Sequence, residues 1–279
     1  MRAIDDAAAI VREPAVAGRF YPGARDALER AVDALLATAP REPAPREALG
    51  VVMPHAGYVY SGGVAARTIS RIAVPARVVI LSPNHTGRGE PLSIWPGGRW
   101  RTPLGMVDVD AALTDALAEA CGLARETAAH RAEHGVEVEL PFLQRLRPDV
   151  RIAAIVLATQ DPAVVERVGI GLRQAIAALA PDALVLASSD MNHFESHERT
   201  LEKDRLALDS VLARDPAGLL ETCARHDITM CGVAPTAAML WAAEPRRDAR
   251  AELVEHTTSG AVSGDMESVV GYAGVILHA

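Results

Sequence analysis

Val78-Val79-Ile80-Leu81-Ser82-Pro83-Asn84-His85 is an apolar run, a break and a histidine. Four successive branched aliphatic residues with no polar alternation mark a strand covered on both faces, and Ser-Pro-Asn ends it. The same grammar occurs in Val51-Val52-Met53-Pro54-His55, and again in Leu184-Val185-Leu186-Ala187-Ser188-Ser189-Asp190-Met191-Asn192-His193. Outward from these, apolar runs predict strands over 49–53, 77–81, 150–158, 183–187, 251–255 and 268–277. Amphipathic stretches predict helices over 24–38, 111–119, 161–179, 198–213 and 217–225. The first puts Leu28, Val32, Leu35 and Leu36 on one face, and the third opens on Asp161-Pro162, a favourable helix entry. Strand and helix alternate, so the expected class is α/β: a central, mainly parallel sheet flanked by helices, as one domain over 1–279. Residues 40–47, rich in proline and charge, read as a surface connection. Residues 87–105 hold five glycines, three prolines, Trp95 and Trp100, and read as a long irregular loop or a pair of short strands.

Composition narrows the function. The 279 residues are 49% hydrophobic and 23% charged, typical of a globular chain long enough to need no covalent staples. A net charge of −8 argues against nucleic acid as a general partner. No apolar run approaches the ~18 residues of a membrane span. The N-terminal MRAIDDAAAIVREP carries Asp5, Asp6 and Glu13 and lacks the apolar centre of a signal peptide. Three unpaired-looking cysteines indicate a reducing compartment, so the expected location is cytoplasmic. Lys203 is the only lysine, and LEKDRLALD around it reads as a solvated helix face.

In open α/β sheets the carboxyl ends of parallel strands form the ligand crevice. His55, His85 and His193, with Asp190, all follow strand ends and can converge there, and imidazole with carboxylate suits a divalent transition metal. A single histidine after a strand is more often a hydrogen-bonded loop residue; the repeated position carries the case. Cys231 lies in Ile228-Thr229-Met230-Cys231-Gly232-Val233-Ala234-Pro235, before a helix opened by Pro235. A helix N-terminus favours a thiolate, although a buried inert cysteine is the commoner fate. Cys121 and Cys223 sit inside helical patterns and read as buried thiols. His130-Arg131-Ala132-Glu133-His134 has the H-x-x-E-H form of some zinc peptidases, but no third ligand is apparent. Ser188 or Ser189 with Asp190 and His193 would make a serine hydrolase, yet the G-x-S-x-G elbow is missing. His197, His226, His256 and His278 read as surface or packing residues.

Several segments together resemble the MEMO family, the B component of the AmmeMemoRadiSam system: AGRFYP (17–22), PHAGYVYSGGVAA (54–66), LSPNH (81–85), TPLG (102–105), EHGVEVELPFLQ (133–144), SSDMNH (188–193), MCG (230–232) and TSGAVSGDMESVVGYAG (258–274). The resemblance implies a fold like that of the LigB-type class III extradiol dioxygenases, which are non-haem iron(II) enzymes. It implies His55, His85 and Cys231 as metal ligands, a cysteine standing where those dioxygenases use glutamate. Asp190 and His193 match the acidic residue and acid/base histidine beside the metal, and Glu133-His134 matches a family signature at the pocket edge. The chain departs from the usual pattern at Thr86, Met191 and Val233, positions expected to border the site.

The expected function is thus a metal-dependent oxidoreductase, with Fe(II) first and Cu or Zn as other occupants. It would act on a small organic substrate and dioxygen, with Asp190 orienting His193 or supporting the metal from outside its ligand set. Tyr58, Tyr60, Trp95 and Trp100 could wall the substrate. The alternative is a non-catalytic metal-binding or adaptor protein. A radical-SAM or other protein partner is compatible with either; a membrane partner is not expected.

Overall fold

Residues 10–39, 45–244, 246 and 248–278 are described by a computed structural model of the chain. Most of the expected connection at 40–47 and most of the acidic N-terminal stretch lie outside the described residues. The strands are β1 (Val11–Arg12), β2 (Gly50–Met53), β3 (Arg77–Pro83), β4 (Leu92–Ile94), β5 (Arg99–Thr102), β6 (Gly105–Val109), β7 (Ala124–Arg125), β8 (Arg151–Leu157), β9 (Leu184–Ser188), β10 (His193–Glu195), β11 (Arg250–Thr258) and β12 (Val269–His278). The helices are α1 (Arg25–Ala37), α2 (Tyr58–Ile69), α3 (Ala111–Cys121), α4 (Leu140–Leu146), α5 (Pro162–Leu179), α6 (His197–Leu212), α7 (Pro216–Arg225), α8 (Val233–Ala243) and α9 (Gly260–Ser263).

β3 is central. It pairs in parallel with β8 on one side and β9 on the other, β2 continues in parallel beyond β9, and β6 joins β8 in parallel. β2, β3, β8 and β9 are buried on both faces over nearly all their length, whereas β6 exposes Asp108. Val79 and Leu81 face a core built with α3, α5, α6, α7 and α8, while Val78 and Ile80 face a second core built with α1, α2 and α4. Helix starts follow local chemistry: Asp161 caps α5 with Pro162 at its first position, Asp110 caps α3, and Asp215 caps α7 ahead of Pro216.

The outer strands depart from the expected pattern. β12 runs antiparallel to β2, β11 and β10, and β5 is antiparallel to β6, so the sheet is mixed. Its longest parallel run is at the centre, and short parallel pairs recur between β1 and β5 and between β4 and β7. Residues 87–105 fold into β4 and β5, which bury Trp95 and Trp100 completely. Lys203 is also buried, on the inner side of α6. No described helix is long and apolar enough to cross a membrane.

Candidate metal centre

β2, β3 and β9 run parallel, so the residues that follow them gather at one edge of the sheet. His55 follows β2, His85 follows β3, and Ser189, Asp190 and His193 follow β9. Cys231 arrives separately, immediately before Gly232 and α8. The ligand-capable atoms of His55, His85 and Cys231 lie within 4.8 Å of one another. Cys231 Sγ is 3.3 Å from His55 Nε2, a separation two donors bound to one ion at ~2.0–2.3 Å can adopt.

Hydrogen bonding fixes which nitrogen of each ring is free. Ser188 Oγ donates to the Gly135 carbonyl at 2.7 Å, so it accepts from His55 Nδ1–H, also at 2.7 Å. That leaves the His55 Nε2 lone pair facing the sulfur. Glu133 accepts from the His85 backbone N–H at 2.6 Å and from His85 Nδ1–H at 2.7 Å, leaving the second ring nitrogen of His85 outside these bonds. His193 Nδ1–H donates to the Thr229 carbonyl at 2.9 Å, which likewise frees Nε2. Pinning one ring nitrogen through an outer partner is how metal-binding histidines are oriented.

Charge states agree. Burial, then the neighbouring His85, pulls the His55 pKa down to about 3, so its ring is neutral and able to ligate. Burial pushes the Glu133 carboxyl up, but the His85 hydrogen bond, the charges of His85 and His134 and the Gly135 N–H outweigh it and bring the pKa to about 2. Burial and the adjacent Asp190 push the Cys231 thiol up, more than backbone and Ser189 hydrogen bonds lower it. The stabilisation of a thiolate expected at the helix entrance is thus outweighed by desolvation.

The comparisons with known proteins fit this geometry. The profile of the family described as "Memo-like protein" matches residues 12–276. The chain belongs to the Memo-like family. A MEMO1 family protein of Ignicoccus hospitalis is 42% identical, over 95% of this chain and 98% of the relative. One from Sulfurisphaera tokodaii is 38% identical over 95% and 99%, and one from Thermotoga neapolitana 39% identical over 96% and 100%.

In this Memo-like chain the remaining site residues take specific places. Asp190 accepts from the His55 backbone N–H at 2.8 Å, and its own N–H points to Cys231 Sγ at 3.2 Å. It ties two ligand-bearing segments together, whereas Thr229 orients His193. Burial raises the Asp190 pKa to about 6 against the His55 N–H, which lowers it. His134 stacks on His85 with ring centroids 4.4 Å apart and meets His55 edge-on at 5.1 Å. His85, Glu133 and His134 form a second group with closely spaced ligand atoms. The His-Glu-His spacing drew attention to this segment, but its ring partners are tertiary and invisible to spacing. His130 is buried elsewhere, against Ser93 and the two tryptophans, which removes the H-x-x-E-H peptidase arrangement.

Other expected neighbours are withdrawn from the crevice. Met191 and Val233 are buried in the apolar core, so they border no open surface. Trp95 and Trp100 pack in the opposite core, and Tyr58 is buried with its hydroxyl on the Val138 carbonyl; none of the three walls an open site. Ser188 and Ser189 bond Gly135 and Asp190 carbonyls and not His193, which leaves no serine nucleophile aligned. The loop carrying Glu133 is held from behind by the buried Arg12, which bonds the Glu133 and His130 carbonyls, pairs with Glu137 and lies 4.7 Å from the Trp100 ring centroid. Sequence inspection missed Ser188 as a ring partner, Thr229, Asn192 and Arg12, since none belongs to a ligand motif.

Proposed function

We propose that this Memo-like protein is a metal-dependent oxidoreductase that binds Fe(II) through His55, His85 and Cys231. Its substrates would be a small organic molecule and dioxygen. The observation that carries this reading is the convergence of two imidazoles and a thiol, with the outer nitrogen of each imidazole already committed to Ser188 or Glu133. The donor set fits the group: two imidazole nitrogens and one sulfur leave room for exchangeable ligands. A bound Fe(II) supplies Lewis acidity and a path for electrons between substrates. The chain's own work is proton handling and positioning. His193 presents a free Nε2 as general acid/base, with Thr229 holding its ring. Asp190 holds the His55 backbone against the Cys231 segment. Loss of the Cys231 proton accompanies metal uptake.

The thiol favours a second reading, since sulfur also suits Cu(I) and Zn(II). A metal-handling or adaptor protein would use the same three residues without turnover. The test is oxygen uptake by anaerobically Fe(II)-loaded protein offered catechols and other small aromatics. Catalysis predicts uptake that His193→Ala abolishes while bound iron stays unchanged. Stoichiometric iron with no uptake across the panel would overturn it in favour of metal binding alone.

A further inference from the structure

We propose that Lys203, the chain's only lysine, is a positioning residue that clamps the loop carrying His193 to the loop carrying Cys231. The inference goes beyond the proposed function in naming what sets the spacing of its parts, and its metal arm rests on that reading.

Lys203 is only 6% exposed, and its ammonium reaches both loops. Nζ lies 2.9 Å from Glu195 Oε2, two residues beyond His193, and donates to the Asp227 carbonyl at 2.8 Å, four residues before Cys231. The same Glu195 oxygen accepts from Asn192 Nδ2 at 2.7 Å. Asn192 Oδ1 in turn accepts from Thr229 N–H at 3.0 Å and Thr229 Oγ1–H at 3.2 Å. Thr229 closes the circuit: its hydroxyl accepts the His193 backbone N–H at 2.8 Å and its carbonyl accepts His193 Nδ1–H. Every link from the ammonium to the imidazole is therefore a polar contact, and the Asn192–Thr229 and Thr229–His193 bonds cross from one loop to the other.

Backbone conformation points the same way. Phe194 and Asp227 have φ of 60° and 50°, a left-handed conformation that an aromatic residue adopts only when its surroundings over-determine it. Phe194 is flanked by His193 and Glu195, both held in the circuit, and the Asp227 carbonyl is held by Lys203 directly. Phe194 is 77% exposed, so its own packing does not enforce its backbone. A compact ammonium projects donors in several directions from one atom, as joining a carboxylate to a carbonyl requires. The Glu195 carboxyl is held below its ordinary range, first by its Lys203 hydrogen bond.

The test uses Lys203→Met, with Glu195→Gln as a second variant that keeps an acceptor for Asn192 but removes the ion pair. Nitrogen NMR of metal-free protein reads the His193 tautomer. Wild type is expected to hold Nδ1–H, and both variants to shift toward a mixture of tautomers. Co(II) alone is the metal probe: both variants are expected to bind it about ten-fold more weakly with a shifted thiolate-to-cobalt absorption band. Folded variants with an unchanged His193 tautomer overturn the clamp, whatever the metal does. A wild-type cobalt complex with no thiolate band overturns the metal reading instead, leaving the clamp to be judged on His193. Should Lys203→Met fail to fold, Glu195→Gln and amine labelling of wild type decide: with one lysine the labelled side chain is unambiguous. Slow labelling supports the clamp, and labelling at the rate of a free amine overturns it.

Discussion

His55 shows how one side chain is constrained from three directions. Its N–H reaches Asp190, its Nδ1 reaches Ser188, and its Nε2 faces Cys231. Ser188 is also 3.1 Å from Glu139, a fully buried carboxyl that desolvation pushes well above its usual range. Removing a ligand atom differs from removing a buried thiol of the same chemistry. His55→Ala and Cys231→Ala are expected to lower bound metal at least ten-fold in elemental analysis after loading and desalting. Cys121→Ala should leave it unchanged, because that thiol is buried in α3, its pKa raised to about 12. Equal loss in all three variants would contradict the ligand assignment. Histidines following strand ends were legible in the sequence because the carboxyl edge of a parallel sheet is a general meeting place. Their outer partners were not, because Ser188, Glu133 and Thr229 are identified only by distance.

Among the elements, α2 was the least legible. Tyr58–Ile69 contains Gly62 and Gly63, which weaken helix propensity and mask the periodicity. The fold uses that smallness: a Cβ on Gly62 would press on Leu35 of α1, and one on Gly274 of β12 would overlap Thr68 of α2. Gly274→Ala is expected to cost about 1–3 kcal/mol in denaturant unfolding while metal affinity stays intact. Gly135 presents the opposite case. A Cβ there would overlap Ser82 Oγ and lie 3.3 Å from His55 Nδ1, so Gly135→Ala should reduce metal affinity about ten-fold as well as stability. Loss of affinity in both variants, or in neither, would show that the two close approaches are not functionally distinct. Residues 87–105 were legible only to within two alternatives. Their glycines and prolines left a long irregular loop and a pair of short strands both open, and tertiary pairing decided for the strands, making β4 and β5 and burying both tryptophans.

For the molecule as a whole, buried neutral histidines set the acid response. Burial, with the charge of Arg12, lowers the His130 pKa to about 3. The unfolded chain therefore binds this proton first, and stability falls as pH drops below about 6.5 until the folded pKa is reached. Asp190 and Glu139, raised by burial, act in the opposite sense as pH falls from neutral toward 4. The His130 part is thus read as a difference: urea midpoints of His130→Gln should decline less between pH 7 and pH 5 than those of wild type. Parallel curves would remove His130 from the acid response.

The apolar runs by themselves determined a helix-covered parallel sheet centre, because β-branched strands without alternation must be buried on both faces. They also placed histidines at its carboxyl edge. Tertiary structure alone decided the antiparallel margin, the burial of Lys203, the arrival of Cys231 beside His55 and the free nitrogen of each ring. Those depend on contacts between residues far apart in the chain, which no local pattern of hydrophobicity encodes.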